Sequence, residues 1–532
     1  MGKDSASGSF WLFFGKILST LVLAIGTIVL GLVIQEGEYG LYVIALIPSA
    51  TILLFHDWGV GPAMIKYIAQ YRAKGMFKNL RKILVVGLTF EIGIGLILTL
   101  FSLLSANYFA SAIFSKPDIA FFMMIASVSI ISASVLTGVQ SIFVGFERMK
   151  LNSITLISQA VVQASVSLLL VYFGFGALGV ILGFVFSFSI SAIVGFIMLY
   201  FLIIRKLPHN EIPQYAFLKT IKPLLTYGVP LGITTVLRGI MAQVYSFIIA
   251  SFVNEVLVGN YHMALNFSVF IKFFAGPIST VLFPAFSKID PQTEPDLLKT
   301  VFKSSVKYST IFLIPASMAL IVLSSPLIGT LYGDKWFDAQ LFLSLAAIIH
   351  LFDAFGILSV NSLLTANGET KLLLKLNLLS ISIGIPLGFW LIPQFGVPGL
   401  FLVDIIDTFP GMVIALYWTW KRYGVRFEPI VSTKILLSSG FASVATFLFL
   451  NFFTASDWIK LISGSPFFLI TYLITLPLVG AVNQEDLKNL KTMFSSLGIV
   501  SKLLNILLLI IKKILLIKQA SREYFSVHNR NK

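Results

Sequence analysis

The feature that most limits how this chain can fold is a succession of long apolar runs separated by loops of alternating charge. Crossing ~30 Å of hydrocarbon takes about 20 apolar residues in a helix rising 1.5 Å per residue. Fourteen runs meet that length, at 10–34, 40–65, 83–105, 119–145, 152–173, 177–204, 222–250, 256–286, 305–328, 338–361, 372–393, 397–420, 431–453 and 459–481. With both termini on one side, that side holds 32 of the 38 Lys and Arg residues. The opposite loops hold only Lys116, Lys335 and Lys460, and Lys16, Arg238 and Lys272 lie within runs. This is the positive-inside pattern, which a missed or extra span would scramble from that point onward. The sequence therefore predicts an all-α polytopic membrane protein of about fourteen transmembrane helices, both termini cytoplasmic.

Composition excludes several other classes. Charged residues make up 11%, against about 25% in soluble domains. The net charge of +15 answers to topology, so no nucleic-acid partner is expected. There is no cysteine, hence no disulfide framework and no thiolate metal site. The five histidines are scattered without ligand spacing, so no metal and no cofactor are expected. The first run is too long for a signal-peptide core and no small-residue cleavage site follows it, so it reads as a span. In 497–518 four lysines interrupt the apolar residues, which predicts an interfacial amphipathic helix on anionic lipid instead of a fifteenth span.

The chain also resembles itself. Gly40, Tyr42, Ala45 and Leu46 match Gly259, Tyr261, Ala264 and Leu265 at an offset of 219, and F-G-A-L-G (175–179) matches F-G-V-P-G (395–399) at 220. Two anchors at nearly one offset predict a repeat of six spans. Six is even, so the copies share an orientation and are related by an axis along the membrane normal. The expected domains are an N-lobe at 1–210 (spans 1–6), a C-lobe at 211–428 (spans 7–12), spans 13 and 14 at 429–485, and a cytoplasmic tail at 486–532.

Five motifs carry a further resemblance: E-Y-G-L-Y at 38–42, D-W-G-V-G at 57–61, F-P-A-F-S at 283–287, L-Y-G-D-K-W at 331–336 and Q-E-D-L at 484–487. In this order and spacing they resemble the polysaccharide transporter family, flippases of lipid-linked oligosaccharides. Its superfamily also holds MATE-type drug exporters and lipid II flippases. The resemblance runs over about residues 10–490. It implies two six-helix bundles around a central cavity and alternating access. It also implies a polyprenyl phosphate or pyrophosphate substrate carrying a sugar chain, and location in the cytoplasmic membrane. The alternative within transport is a MATE-type cation-coupled exporter. Catalysis is not expected: the outside loops are short, and no nucleophile–base pair or metal set is visible.

Charges inside the bilayer cost at least ~2.5 kcal/mol each and so face a cavity or a partner. Lys16, Asp57 and Glu91 all fall in the inner third of the first lobe. Asp57 sits in F-H-D-W-G-V-G (55–61), where Gly59, Gly61 and Pro62 favour a helix break. Asp57 reads as a fixed ion pair with Lys16 or with the Lys66/Arg72 side of the loop, as a cytoplasmic gate with Lys16 and Glu91, or as a proton relay with His56. Arg238 and Lys272, near the middles of spans 7 and 8, suit a diphosphate, for which Arg offers a planar fork. Lys16 is a third candidate for that role. They serve equally to neutralise Asp353, Asp404 and Asp407. Asp404 and Asp407 share a face of span 12 at i, i+3 and, with Asp353, are candidates for a coupling ion, Na⁺ or H⁺. Gln140, Gln159, Gln163 and Asn266 are candidate sugar contacts or interhelical hydrogen bonds. The Ser-rich run at 127–134 reads as close helix packing. No partner subunit is needed, and a monomer is expected.

Overall fold

The computed structural model describes residues 2–56, 58–208, 217–452, 454–495 and 505–519. Among these residues the chain is helical throughout and contains no strand. The helices are α1 (Gly2–Val33), α2 (Glu36–Leu53), α3 (Val60–Ala73), α4 (Phe77–Tyr108), α5 (Ala120–Gly145), α6 (Met149–Tyr172), α7 (Gly176–Leu202), α8 (Phe217–Phe252) and α9 (Glu255–Ser287). They continue as α10 (Pro295–Tyr332), α11 (Phe337–Ile349), α12 (Ile357–Ala366), α13 (Thr370–Phe395), α14 (Val397–Tyr423), α15 (Pro429–Asn451), α16 (Asp457–Leu478) and α17 (Gln484–Ser495), with residues 505–519 forming α18.

Twelve helices among the described residues are long and apolar enough to cross a membrane, so the expected fourteen are not matched one for one. The run at 40–65 is not one helix. It stops at Leu53, turns, and restarts as α3 at Val60. The run at 256–286 corresponds to α9, several of whose side chains lie outside the described residues. The run at 338–361 is also broken, by a 3-10 turn at His350–Phe355 and Gly356 at φ +80. In both broken runs a left-handed glycine sits where continuous helix was expected, a conformation that opens to glycine at little steric cost.

The chain divides into two compact units, Met1–His262 with Ile385–Leu400, and Met263–Gly384 with Phe401–Lys532. In the first, α6 packs along α1 and α7, α5 along α4 and α7, and α3 against α4, α5 and α8. Its core includes Met64, Ile68, Leu80, Ile142, Phe143 and Leu224, all fully buried or nearly so. The Ser-rich run packs as expected: Ser127 bonds Ser102 of α4 at 2.7 Å, and Ser132 bonds Ser189 of α7 at 2.8 Å. Small hydroxyl side chains let the backbones approach and satisfy one another where lipid offers no partner.

In the second unit α10 packs on α11, α15 and α16. The apolar face Leu508, Ile511 and Leu515 of α18 joins a core with Ile435, Phe468, Tyr472 and Leu476. The tail helix is thus amphipathic as expected, but one face lies on protein, the i, i+3, i+7 stripe of a docked helix. The Q-E-D-L motif closes this end. Asn483 and Asp486 exchange side-chain to backbone hydrogen bonds at 2.8 and 2.9 Å, a capping box that starts α17. The same Asp486 carboxylate accepts from Lys307 of α10 at 2.6 Å.

Candidate functional site

The F-H-D-W-G-V-G stretch is the turn between α2 and α3. Leu54, Phe55 and His56 each donate their backbone N–H three residues back, to Thr51, Ile52 and Leu53. The last turn of α2 therefore tightens to 3-10 pitch. His56 Nδ1 lies 2.6 Å from the Leu53 carbonyl oxygen. Gly59 then takes φ +75, and a Cβ there would run into the carbonyl of Gly228 in α8. Two glycines thus bring the broken helix and α8 into backbone contact. Beside it the Lys66 ammonium lies 3.9 Å from the centre of the Tyr227 ring, an interaction of about 0.5–2 kcal/mol. Asp57 lies outside the described residues.

The other end of α2 carries a second glycine contact, and it is reciprocal. A Cβ on Gly40 would collide with the Glu255 carbonyl oxygen, and one on Gly259 with the Glu36 carbonyl oxygen. Gly40 and Gly259 are separated by the offset of 219 noted in the sequence, and so are Glu36 and Glu255. The contact is reciprocal: each glycine meets the glutamate that stands four residues before the other. Side chains reinforce it. Asn260 donates to the Glu36 carboxylate at 2.5 Å. Lys116, from the loop after α4, forms an ion pair with Glu255 at 2.8 Å. Burial alone would raise the Glu255 carboxyl; the Lys116 ammonium and a backbone hydrogen bond outweigh it and hold the group below the usual carboxylate range. Glu38 sits over Gly176, the first residue of α7, where the helix dipole favours negative charge.

The glycines that close F-G-A-L-G and F-G-V-P-G also share one local role. A Cβ on Gly179 would meet the Leu170 carbonyl carbon at 3.0 Å, and one on Gly399 the Leu391 carbonyl carbon at 2.8 Å. Each glycine lets a helix fold back tightly on its predecessor, α7 on α6 and α14 on α13.

The second unit holds a polar cavity of about 180 Å³ between α12, α13 and α14, lined by Asn361, Asn377, Ser380, Asp407 and Thr408 among apolar side chains. Asp407 is buried and accepts from the Thr408 hydroxyl at 3.2 Å. Asp404, three residues earlier on α14, is half-buried. Asp353 lies in the turn before α12, with His350 Nδ1 at 3.9 Å. Among the described residues no group of three or more His, Cys, Asp or Glu side chains is placed to hold a metal ion. Asp407 instead shares its cavity with neutral oxygen and amide groups, a hard-donor set of the kind an alkali cation takes.

The profile of the polysaccharide biosynthesis protein family matches residues 5–290, more than half of the chain. The chain belongs to this family. The lipid II flippase MurJ profile also matches, over 219–472. The lipopolysaccharide biosynthesis protein WzxC of Escherichia coli K12 is 24% identical over 418 residues, covering 76% of this chain and 80% of the relative. A probable low-salt glycan biosynthesis flippase of Haloferax volcanii is 21% identical, covering 46% of this chain and 51% of its own length. Among solved structures, MurJ in an inward-closed conformation aligns with a TM-score of 0.68 at 17% identity, over 87% of this chain and 97% of MurJ. An inward-facing MATE-family multidrug transporter of the MOP superfamily aligns at 0.59 and 15%, over 76% and 94%. The fold is therefore that of the MurJ and MATE transporters, and the resemblance read from the five motifs holds.

Arg238 lies in α8 and Lys272 in α9, with both side chains outside the described residues. Lys16 is exposed on α1, and no carboxylate among the described residues pairs with it. Glu91 is buried in α4 beneath Gly138 of α5. Since α1 packs along α6 and α4 along α5, Lys16 and Glu91 face different neighbours. Gln140 donates to Thr155 at 3.1 Å, an interhelical hydrogen bond between α5 and α6. Gln159 and Gln163 are half-buried on α6, without a hydrogen bond among the described residues, and Asn266 is exposed on α9. Sequence reasoning missed the cluster of Glu36, Glu38, Lys116, Glu255 and Asn260. The repeat offset pairs Glu36 with Glu255, a signal that was present but is visible only when the offset is carried outside the matched motif.

Proposed function

We propose that this protein is a flippase that carries polyprenyl-(pyro)phosphate-linked oligosaccharide from the cytoplasmic to the outer leaflet of the cytoplasmic membrane, by alternating access, for cell-surface glycan synthesis. Membership of the polysaccharide biosynthesis family, on a fold shared with MurJ, carries the reading. The two working lobes are 1–210 and 211–428, each six spans. Spans 13 and 14 flank them, and both termini are cytoplasmic. The protein acts as a monomer and catalyses no bond chemistry.

Arg238, Lys272 and Lys16 neutralise the substrate phosphates, which in a low-dielectric cavity require charge-assisted donors. The reciprocal contact of α2 with α9 seals the outer side while substrate loads. The break at 54–59, with Asp57, Lys16 and Glu91, is the device at the inner side. Asp407 with Asp404 holds the coupling cation, Na⁺ or H⁺, and Asp353 lies in the turn preceding the same cavity. Gln159, Gln163, Gln140 and Asn266 meet sugar hydroxyls.

The test is translocation of a fluorescent polyprenyl-pyrophosphate-linked sugar in proteoliposomes, with and without Na⁺ and pH gradients, beside uptake of a cationic dye. Lipid translocation without dye uptake is expected. Dye uptake without lipid movement identifies a MATE-type exporter and overturns the proposal.

A further inference from the structure

The short link between α14 and α15 builds an apolar groove with an exposed arginine in its lining. α14 ends where Gly424, at φ +64, donates its N–H to the Trp420 carbonyl at 2.9 Å, a left-handed glycine of the kind that stops a helix. In the residues that follow, burial alternates. Val425 is buried, Arg426 exposed, Phe427 half-buried and Glu428 exposed, the two-residue period of an extended chain. Val425 and Phe427 join Phe302 of α10 and Leu416 of α14 in one core. Arg426 instead stacks over Trp420, its guanidinium carbon 4.1 Å from the ring centre. Together these residues line a groove of about 370 Å³.

Among the described residues no carboxylate pairs with Arg426, and none pairs with Lys421, whose ammonium lies 5.9 Å from the centre of the Tyr417 ring. The acids nearby are engaged elsewhere. Glu428 pairs with Lys303 at 2.9 Å and Asp296 with Lys299 at 3.0 Å. Glu369 accepts from the Tyr423 hydroxyl at 2.9 Å and has Arg422 at 3.9 Å. Stacking uses the face of the Arg426 guanidinium and leaves the N–H groups along its edge as a planar fork, which fits a phosphate. The depth of the groove specifies what carries that phosphate. α14 and α15 are both long and apolar enough to cross a membrane, so the link between them lies at a bilayer surface. Tyr417 and Trp420, 52% and 43% exposed, stand where aromatic side chains mark the headgroup level. An apolar floor beside a cation at that level fits an acyl chain beneath an anionic headgroup.

We propose that Arg426, stacked on Trp420, binds the phosphate of an anionic phospholipid whose acyl chain lies in the groove between α10 and α14. The site needs only that α14 and α15 span a membrane, and it is independent of the transport reading. Its test is native mass spectrometry of the full chain in detergent, titrated with phosphatidylglycerol and read as the dissociation constant of the first bound lipid. Arg426→Gln is expected to bind ~10-fold more weakly, the loss of one charge-assisted contact. Trp420→Leu keeps the charge but removes the stack, and is expected to bind about threefold more weakly. K512Q/K513Q, which changes exposed lysines of α18, is expected to bind as the parent does. Unchanged binding in either groove variant, an equal loss in K512Q/K513Q, or equal binding of phosphatidylcholine overturns the proposal. Glycerophosphoglycerol, which lacks the acyl chains, is expected to compete weakly. Competition as strong as the lipid's reassigns the site to a soluble anion and overturns the headgroup assignment. Polyprenyl phosphate that displaces phosphatidylglycerol at equal concentration gives the groove to an isoprenoid carrier and overturns it as well.

Discussion

Substituting Gly40 tests whether the outer contact between α2 and α9 works as a seal. A Cβ added at Gly40 would fall 2.6 Å from the Glu255 carbonyl carbon and 3.0 Å from its Cα. Carbon atoms pack at about 3.5–4.0 Å, so the two backbones must part by about 1 Å. Neither neighbour is a flexible side-chain tip, so the strain has no local outlet. Overpacking of this kind costs about 1–3 kcal/mol, which moves a closed-to-open ratio by roughly 5- to 150-fold. The chain has no cysteine, so an engineered pair reports the contact without background. A Cβ at Gly37 would lie 3.7 Å from Val256 Cγ2, within reach of a disulfide. In Gly37→Cys/Val256→Cys, oxidation should cross-link α2 to α9 and stop glycan translocation, and reduction should restore it. Adding Gly40→Ala should slow cross-linking by a factor in the range above. Gly440→Ala, at a site with open space around it, should leave the rate unchanged. Unaltered cross-linking in the Gly40 variant, or full translocation by the oxidised pair, refutes the seal.

Four further outcomes follow from other parts of the molecule. Arg238→Ala should lower translocation while membrane insertion stays intact; normal translocation removes the residue from phosphate binding. Asp407→Asn should abolish the dependence of translocation on the driving cation gradient, measured as flux with and without the gradient. Glu255 has a depressed carboxyl, so its ion pair with Lys116 stabilises the folded state fully above the ordinary glutamate range near pH ~4.3. That contribution is lost as pH falls through the lower folded value. Thermal melting followed below pH 5 should show a steeper loss in the parent than in Glu255→Gln. Asp486→Ala removes the capping box and strands the half-buried Lys307, and should lower stability by about 3 kcal/mol, read as a melting shift.

Much of the architecture was legible because lipid imposes a length and loops carry a charge bias, and both survive in a single sequence. The breaks at 54–59 and 350–356 were less legible. F-H-D-W-G-V-G announced the first through Gly59, Gly61 and Pro62, yet apolar residues on both sides made one long run. At the second, only Gly356 marks the turn, and a single glycine within an apolar run carries little signal. The shared offset of Gly40 and Gly259 was readable, but not the contact between them. Those glycines are conspicuous because they touch across the fold, which no linear pattern reports. The cavity around Asp407 was half-visible: the i, i+3 pair of aspartates stood out, whereas Asn361, Asn377 and Ser380 arrive from two other helices. Arg426 looked like an ordinary member of the basic excess, because only the turn at Gly424 lays it over Trp420.

The meeting of Gly59 with Gly228 also bears on how the chain is made. The two residues are separated by about 170 residues of sequence, which takes a ribosome roughly ten to thirty seconds to add. During that interval the interrupted end of α2 has no α8 to lean on. Its terminal carbonyls and the His56 ring must be hydrated, or shielded by the insertion machinery, until α8 arrives. The break is therefore a point of timing in biogenesis. Side chains introduced at Gly228 should prolong residence at the insertion site before they show any effect on the finished protein.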